Sequence, residues 1–254
     1  MKYGAIYPSL KGRTVLVTGG GSGIGESIVD HFAAQGAKVG FLDIAEAPSK
    51  KVVARAKRRK QTVHFEKCDL TDIDALRASI KAVRKALGPI TILINNAAHD
   101  ERHAIDEVTP EYFDERIAVN LKHHVFSIQA VLPDMKRKKT GSIVNIGSGS
   151  WLLGATGMPV YTAAKAGVLG LTRGLARELG PLGIRINSIA PGWILTDRQR
   201  ELWTSPEAIE KLMTDQAIPR ELGPDDIARW VLFLASDESS AATNQNFIVD
   251  GGWL

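Results

Sequence analysis

Cysteine is nearly absent from these 254 residues, Cys68 being the only one. A lone thiol excludes an internal disulfide framework, and without Cys or His partners at ligand spacing it excludes a structural zinc site. No metal is expected. Long hydrophobic runs are missing too. No stretch approaches the roughly 18 uninterrupted apolar residues of a membrane span. The opening MKYGAIYPSLKGRTVLV lacks an apolar core ending in a small-residue cleavage site. The expectation is a soluble cytoplasmic protein in a reducing compartment, with no membrane partner. Pro/Ser-rich linkers, low-complexity tracts and fixed-period repeats are also lacking. One domain spanning 1–254 is expected, because α/β folds often run to this size undivided.

Hydrophobic residues make up 44% and charged residues 24%, which supplies a sizeable core and argues against disorder. Net charge is +4, and much of the excess lies in KKVVARAKRRK (50–60) and MKRKKTG (135–141). Both flank apolar periodic segments. They read as a solvated helix face and a helix C-terminus, where cations meet the dipole. Nucleic-acid binding would call for interleaved aromatics, zinc spacing or a recognisable module, and none accompanies the charge.

Short β-branched apolar runs recur along the chain: RTVLVTG, AKVGFLD, QTVHFEKCD, ITILINN, GSIVNIGS, IRINSIAPG and QNFIVDGG. Between them lie amphipathic stretches of helical length, including 23–36, 72–87, 110–132, 160–180 and 224–236. That alternation predicts βαβ units, and strands that are nearly all apolar predict a parallel sheet covered on both faces. The fold class is α/β, a doubly wound sheet. One section, 192–222, breaks the rhythm between two strands, where a substrate lid would be placed.

The first strand runs through TGGGSGIG (18–25) into a helix. Glycines permit a tight turn and close backbone approach to a pyrophosphate, whose charge is drawn to the free N–H groups at the helix start. Gly19, Gly23 and Gly25 give the spacing G-x-x-x-G-x-G rather than the plain dinucleotide fingerprint. Asp43 ends the second strand 18 residues after Gly25. Its carboxylate suits ribose hydroxyls and would repel a 2'-phosphate, which favours NAD over NADP. Ser22, rather than a basic residue, in the turn points the same way. Asp69, at the end of the third strand, is a candidate for the adenine amino group or a plain turn residue.

Tyr161 and Lys165 are spaced i,i+4, so on a helix the phenol and the ammonium are neighbours. A phenol of ordinary pKa, about 10, is too weak a base near neutrality, and a neighbouring ammonium favours its anion. Tyr161 is thus the candidate general base, Lys165 its activating charge, and Ser148, ending the fifth strand, a donor to the substrate oxygen. Asn120, on the helix YFDERIAVNLKHH, is positioned to order water behind the lysine.

Together TGGGSGIG, NNAA (95–98), Asn120, Ser148, YTAAK and PGWILT (191–196) resemble the short-chain dehydrogenase/reductase superfamily over essentially the whole chain. The resemblance implies a Rossmann domain with a seven-stranded sheet, an Asn120–Ser148–Tyr161–Lys165 tetrad, and a homotetramer. It implies an NAD site from Gly19, Ser22, Gly23, Ile24, Gly25, Asp43, Ile44, Asp69 and Leu70 to Asn96 and Ala97. Tyr161, Lys165, Pro191, Gly192, Ile194 and Thr196 complete it, with the Ile194 backbone and Thr196 hydroxyl near the carboxamide. Two positions depart from the pattern. Ala98 replaces the last residue of NNAG, and Asn244 replaces a glycine usual near the C-terminus.

The expected pocket rim follows NNAA and Ser148 and runs through 192–205. It comprises His99, Asp100, Arg102, His103, Ser150, Trp151, Trp193, Arg198, Gln199 and Trp203. Polar groups interspersed with tryptophan suit a small sugar, bound by its hydroxyls and its C–H faces. The segments AIYPSLKG, NNAAHDERH, DERIAVNLKHHVF, TDRQ and DGGW are similar to those of bacterial D-xylose dehydrogenases and related aldose 1-dehydrogenases. The activity this implies is oxidation of an aldose at C1 to its lactone. The alternatives are a 2-keto-3-deoxy sugar acid dehydrogenase, a 3-oxoacyl carrier-protein reductase, and a catalytically silent nucleotide-binding protein.

Overall fold

The computed structural model describes residues 4–254. Its centre is a parallel sheet of seven strands in the order β3-β2-β1-β4-β5-β6-β7. The strands are β1 (Thr14–Thr18), β2 (Lys38–Asp43), β3 (Val63–Lys67), β4 (Ile90–Asn95), β5 (Gly141–Ile146), β6 (Ile184–Pro191) and β7 (Asn246–Val249). All seven apolar runs of the sequence became strands; the five inner ones supply side chains to both faces, while the edge strands β3 and β7 partly bury Val63, Phe65, Phe247 and Val249 on one. On β1, Val15 and Val17 join one core layer with Phe32 and Ile227, while Leu16 joins the other with Leu76 and Ile128. This is the period of two expected of a pleat buried on both sides.

Helices α1 (Gly23–Ala34), α2 (Glu46–Arg58) and α9 (Pro224–Ala235) cover the first layer. Helices α3 (Ile73–Leu87), α5 (His123–Lys138) and α6 (Pro159–Leu179) cover the second. Strand order reverses between β1 and β4, so a crevice opens at their carboxyl ends, where ligands of such sheets bind.

Both basic clusters fall where the sequence placed them. Arg55, Lys57 and Arg58 occupy the last turn of α2, and Lys136, Arg137 and Lys138 that of α5. The amphipathic run 110–132 is longer and less regular than its pattern implies. It comprises α4 (Pro110–Ile117), one π-helical turn (Ala118–Lys122) and α5. Such single π turns tend to mark functional positions, and Asn120 lies inside this one. Segment 192–222 holds two further helices, α7 (Asp197–Trp203) and α8 (Pro206–Asp215), and its ends meet through a parallel bridge from Ile194 to Leu222. Asn244, replacing the usual glycine, has φ +63°. Asparagine tolerates this left-handed conformation better than most residues, so the turn survives the replacement.

Candidate active site

The turn after β1 is shaped by close backbone approach. Gly19 has φ +70°, and a methyl group added at Gly25 would lie 1.7 Å from the Gly19 carbonyl oxygen. Only glycine fits there. Ser22 begins α1 without capping it by its side chain, which leaves the helix N–H groups open to an anion. Asp43 fixes the same turn, its carboxylate accepting from the Gly21 and Ala45 amides at 2.8 Å each. Asn96 braces the turn from β4, donating to the carbonyls of Thr18 (3.1 Å) and Gly19 (3.0 Å). The Asn96 and Ala97 amides both donate to the Thr18 hydroxyl. The cradle fits a dinucleotide pyrophosphate in shape and in charge.

Three further expected cofactor positions lie just beyond β2 and β3. Asp69 lies two residues beyond β3, where its carboxylate accepts from the amide and hydroxyl of Thr71, as a turn residue does. The Leu70 side chain is buried in the second core layer, which leaves only its backbone for a ligand. Ile44 is 63% exposed beside Asp43.

A cavity of about 600 Å³ continues from this cradle along the carboxyl edge of the sheet. Ile24, Asn96, Ser148, Ser150, Tyr161, Lys165, Pro191, Gly192, Trp193, Ile194, Thr196, Gln199 and Trp203, all candidates from the sequence, line it together. Ser148 stands two residues past the end of β5, its hydroxyl donating to Ser150 Oγ at 2.9 Å and accepting from the Ser150 amide. Thr196 accepts from the Gln199 amide and so caps α7. Asn120 is fully buried: its Oδ1 accepts from the His99 amide, and its Nδ2 donates to the carbonyls of His99 and Arg116.

Tyr161 and Lys165 project from α6 with Nζ 5.7 Å from the phenol ring centroid. Burial, rather than the neighbouring ammonium, dominates the phenol. Burial pushes Tyr161 up to about 12, opposed chiefly by a hydrogen bond with Ser148. Burial likewise pushes Lys165 down to about 7, with the Asp100 carboxylate opposing. Desolvation penalises both charged forms. Lys165 Nζ donates to the Ile146 carbonyl at 2.8 Å, which anchors its amine at the end of β5.

Of the expected rim, His99, His103, Trp151 and Arg198 do not line the cavity. The His99 ring turns to Arg116, and its amide serves Asn120. His103 acts as a strap. Its amide donates to the Gly157 carbonyl at 2.9 Å, and its Nε2 accepts from the Val160 amide at 3.3 Å, in the first turn of the helix that carries Tyr161. Neighbours in an irregular loop point in unrelated directions, and no period reveals which face inward.

Trp253 lines the cavity and was missed among the site residues. Asp250 accepts from the Gly252 and Leu254 amides at 2.8 Å each, while Gly251 and Gly252 adopt φ +74° and +77°. The chain end is thus folded back onto the site. The DGGW ending was the available signal.

Among the described residues no group of His, Cys, Asp and Glu is placed to hold a metal, and no helix is long and apolar enough to cross a membrane.

A family model described as enoyl-(acyl carrier protein) reductase matches residues 19–254. The chain is 47% identical to a probable galactose dehydrogenase of Rhizobium meliloti, covering 97% of this chain and 96% of that protein. It is 45% identical to a D-xylose 1-dehydrogenase of Caulobacter vibrioides, covering 98% of each. A crystal structure of a putative short-chain alcohol dehydrogenase from Sinorhizobium meliloti superposes with a TM-score of 0.91 at 29% identity, covering 97% of this chain and 98% of that one. With the glycine cradle, the Tyr161–Lys165 pair and these full-length likenesses, the chain belongs to the short-chain dehydrogenase/reductase family, oxidoreductases that act on CH–OH groups with a nicotinamide cofactor.

Proposed function

We propose that the protein is an NAD-dependent aldose 1-dehydrogenase that oxidises the anomeric carbon of a small sugar to the aldonolactone. The observation that carries the reading is a set of polar and aromatic groups in the lining of the cavity. Tyr161, Ser148, Asp100 and Gln199 share the 600 Å³ cavity with Trp193, Trp203 and Trp253. Hydroxyl-binding groups among flat apolar faces suit a sugar ring and give a long acyl chain little to hold. The printed names of two relatives at 45–47% identity support the same class.

In this mechanism the Ser148 hydroxyl holds the oxygen bonded to C1, and Tyr161 Oη removes the proton of that anomeric hydroxyl. Lys165, tied to Ile146, provides the cation that stabilises the phenolate. Asn120 keeps the π turn behind the lysine in shape through its amide, which accepts from His99 and donates to the carbonyls of His99 and Arg116. A nicotinamide ring, when bound, supplies the hydride acceptor and a positive charge. The cradle of Gly19, Ser22, Gly23 and Gly25 would hold its pyrophosphate, and Asp43 its adenosine ribose.

Support for NAD comes from the adenosine end. Asp43 presents a carboxylate, and the nearby cations Lys50 and Lys67 are both paired to Glu46 at 2.6 and 3.3 Å rather than free for a 2'-phosphate. Segment 192–222 serves as the substrate lid of a single catalytic domain.

The test is oxidation of an aldose deuterated at C1. Transfer of the label to the reduced nicotinamide, with a lactone as product, is expected. Label retained in the sugar would place the chemistry at another carbon and refute the assignment.

A further inference from the structure

The cavity holds two opposite charges that ordinary sugar oxidation does not explain, Asp100 and Arg102. One would welcome an anionic substrate and the other would repel it. Their surroundings decide between them. Asp100 is half-buried, its side chain 20% exposed, and is held at a defined place. Gln199 Nε2 donates to its Oδ2 at 2.6 Å, and Gln199 Oε1 is itself fixed by the Trp193 indole N–H at 2.9 Å. Its other oxygen meets only Arg198, exposed and 3.5 Å away. A carboxylate offers about four lone-pair positions, and these two contacts leave about half of its accepting capacity unused by the protein. Arg102 is exposed, stacked 5.1 Å over Trp203, with Nη1 donating to Met158 Sδ.

The reacting phenol distinguishes the two. Asp100 acts on Tyr161 more strongly than Arg102 does, and Asp100 also acts on Lys165. Asp100 is therefore within electrostatic reach of both reacting groups, and Arg102 is the more exposed of the two charges.

Resting on the aldose reading, we propose that Asp100 is the specificity-determining residue of this site. Its carboxylate accepts a pair of hydroxyls from an uncharged sugar and turns away substrates that bring a carboxylate close to the reacting carbon. A charged acceptor with spare lone pairs gives hydroxyls stronger hydrogen bonds than a neutral one, and like charges in a partly dry cavity repel. Gln199 and Trp193 are positioning residues for it, linking the loop after β4 to the 192–222 segment.

The experiment compares the wild type with Asp100→Ala and Asp100→Asn. Each is first shown to bind NADH, so that loss of fold is excluded. The first arm measures kcat/KM for an aldose and for the analogues lacking one hydroxyl. In the wild type at least one deletion is expected to cost about 10- to 100-fold. In Asp100→Ala the same deletion should cost less than about threefold, because the acceptor is already gone. The second arm needs no turnover. With NADH bound, an alditol and the aldonate of the same skeleton are titrated against the fluorescence of the cavity tryptophans. The wild type is expected to favour the alditol at least about tenfold, with Asp100→Asn narrowing that gap.

Equal hydroxyl penalties in the wild type and Asp100→Ala, or an aldonate bound as well as the alditol by the wild type, would overturn the assignment of Asp100 while aldose turnover stood. Silence of the wild type on every aldose, with the alditol preference intact and dependent on Asp100, would refute the oxidation at C1 and uphold Asp100 as the selector of neutral polyols.

Discussion

Burial pushes Lys165 down to about 7 and Tyr161 up to about 12, so the pair should lose its first proton around neutrality and its second only in strong alkali. Activity that needs phenolate and ammonium together needs the pair to carry one proton, whichever residue holds it at rest. Wild-type kcat/KM for aldose oxidation is therefore expected to rise with pH up to about 7 and then stay level across the accessible range. Kinetics of this kind report the free enzyme.

Lys165→Met removes the partner while filling similar space with a flexible apolar chain. The Ile146 carbonyl loses its donor, a cost of about 1–3 kcal/mol that the fold should survive. The phenol then ionises alone, held high by its burial. The level region should vanish, kcat/KM at neutral pH should fall by about 100-fold or more, and it should recover roughly tenfold per pH unit on the alkaline side. The assay is steady-state kinetics from about pH 6 to 10 for both proteins, with NADH binding measured alongside. A variant that keeps the wild-type profile, or a wild type with no inflection near 7, would refute the coupling of the two groups.

Tyr161→Phe should lower kcat by about 10²- to 10⁴-fold, the usual worth of a general base, while NAD affinity by fluorescence titration changes little; a retained rate would remove Tyr161 from the mechanism. Gly25→Ala brings a methyl group within 1.7 Å of the Gly19 carbonyl. The turn must move by about an ångström, and NAD affinity measured by calorimetry should fall on the order of 100-fold. Asp43→Ala strips the acceptor from two amides as well as from the ribose, so NAD should bind about tenfold more weakly and the NAD to NADP ratio of kcat/KM should drop. An unchanged ratio would count against its role in cofactor choice. His103→Ala removes the acceptor on Val160, in the first turn of α6. Thermal unfolding should report a loss of about 1 kcal/mol, and kcat should fall more than KM rises, with His103→Gln restoring part of both.

The strands were the most legible part of the sequence. Val15, Leu16 and Val17 face two separate cores, and a strand covered on both sides has to be apolar throughout. Asp43 was placed correctly because the apolar run itself stops there. The two helices inside 192–222 escaped notice although Thr196 and Ser205 cap them and Pro206 opens the second. They are short, and α7 buries no residue, so periodicity had nothing to report. The π turn at Asn120 was invisible for a different reason. It inserts one residue into a continuous helical pattern, and only hydrogen bonding reveals it. The Tyr161–Lys165 pair was found by spacing, yet its electrostatics were misjudged, because desolvation depends on what the rest of the chain packs around the two groups. The inward turn of Asp100, and the turn of the His99 ring toward Arg116, follow from loop geometry that no local pattern encodes.

The central claim is oxidation of a free aldose with NAD. Its most direct test mixes the purified protein with NAD or NADP and, in parallel, pentoses, hexoses, deoxysugars and 2-keto-3-deoxy sugar acids, and follows formation of the reduced nicotinamide. The account predicts rapid reduction of NAD by one or two aldoses, with NADP and the sugar acids far slower. Turnover confined to sugar acids, or none with any aldose while NAD still binds, would contradict it.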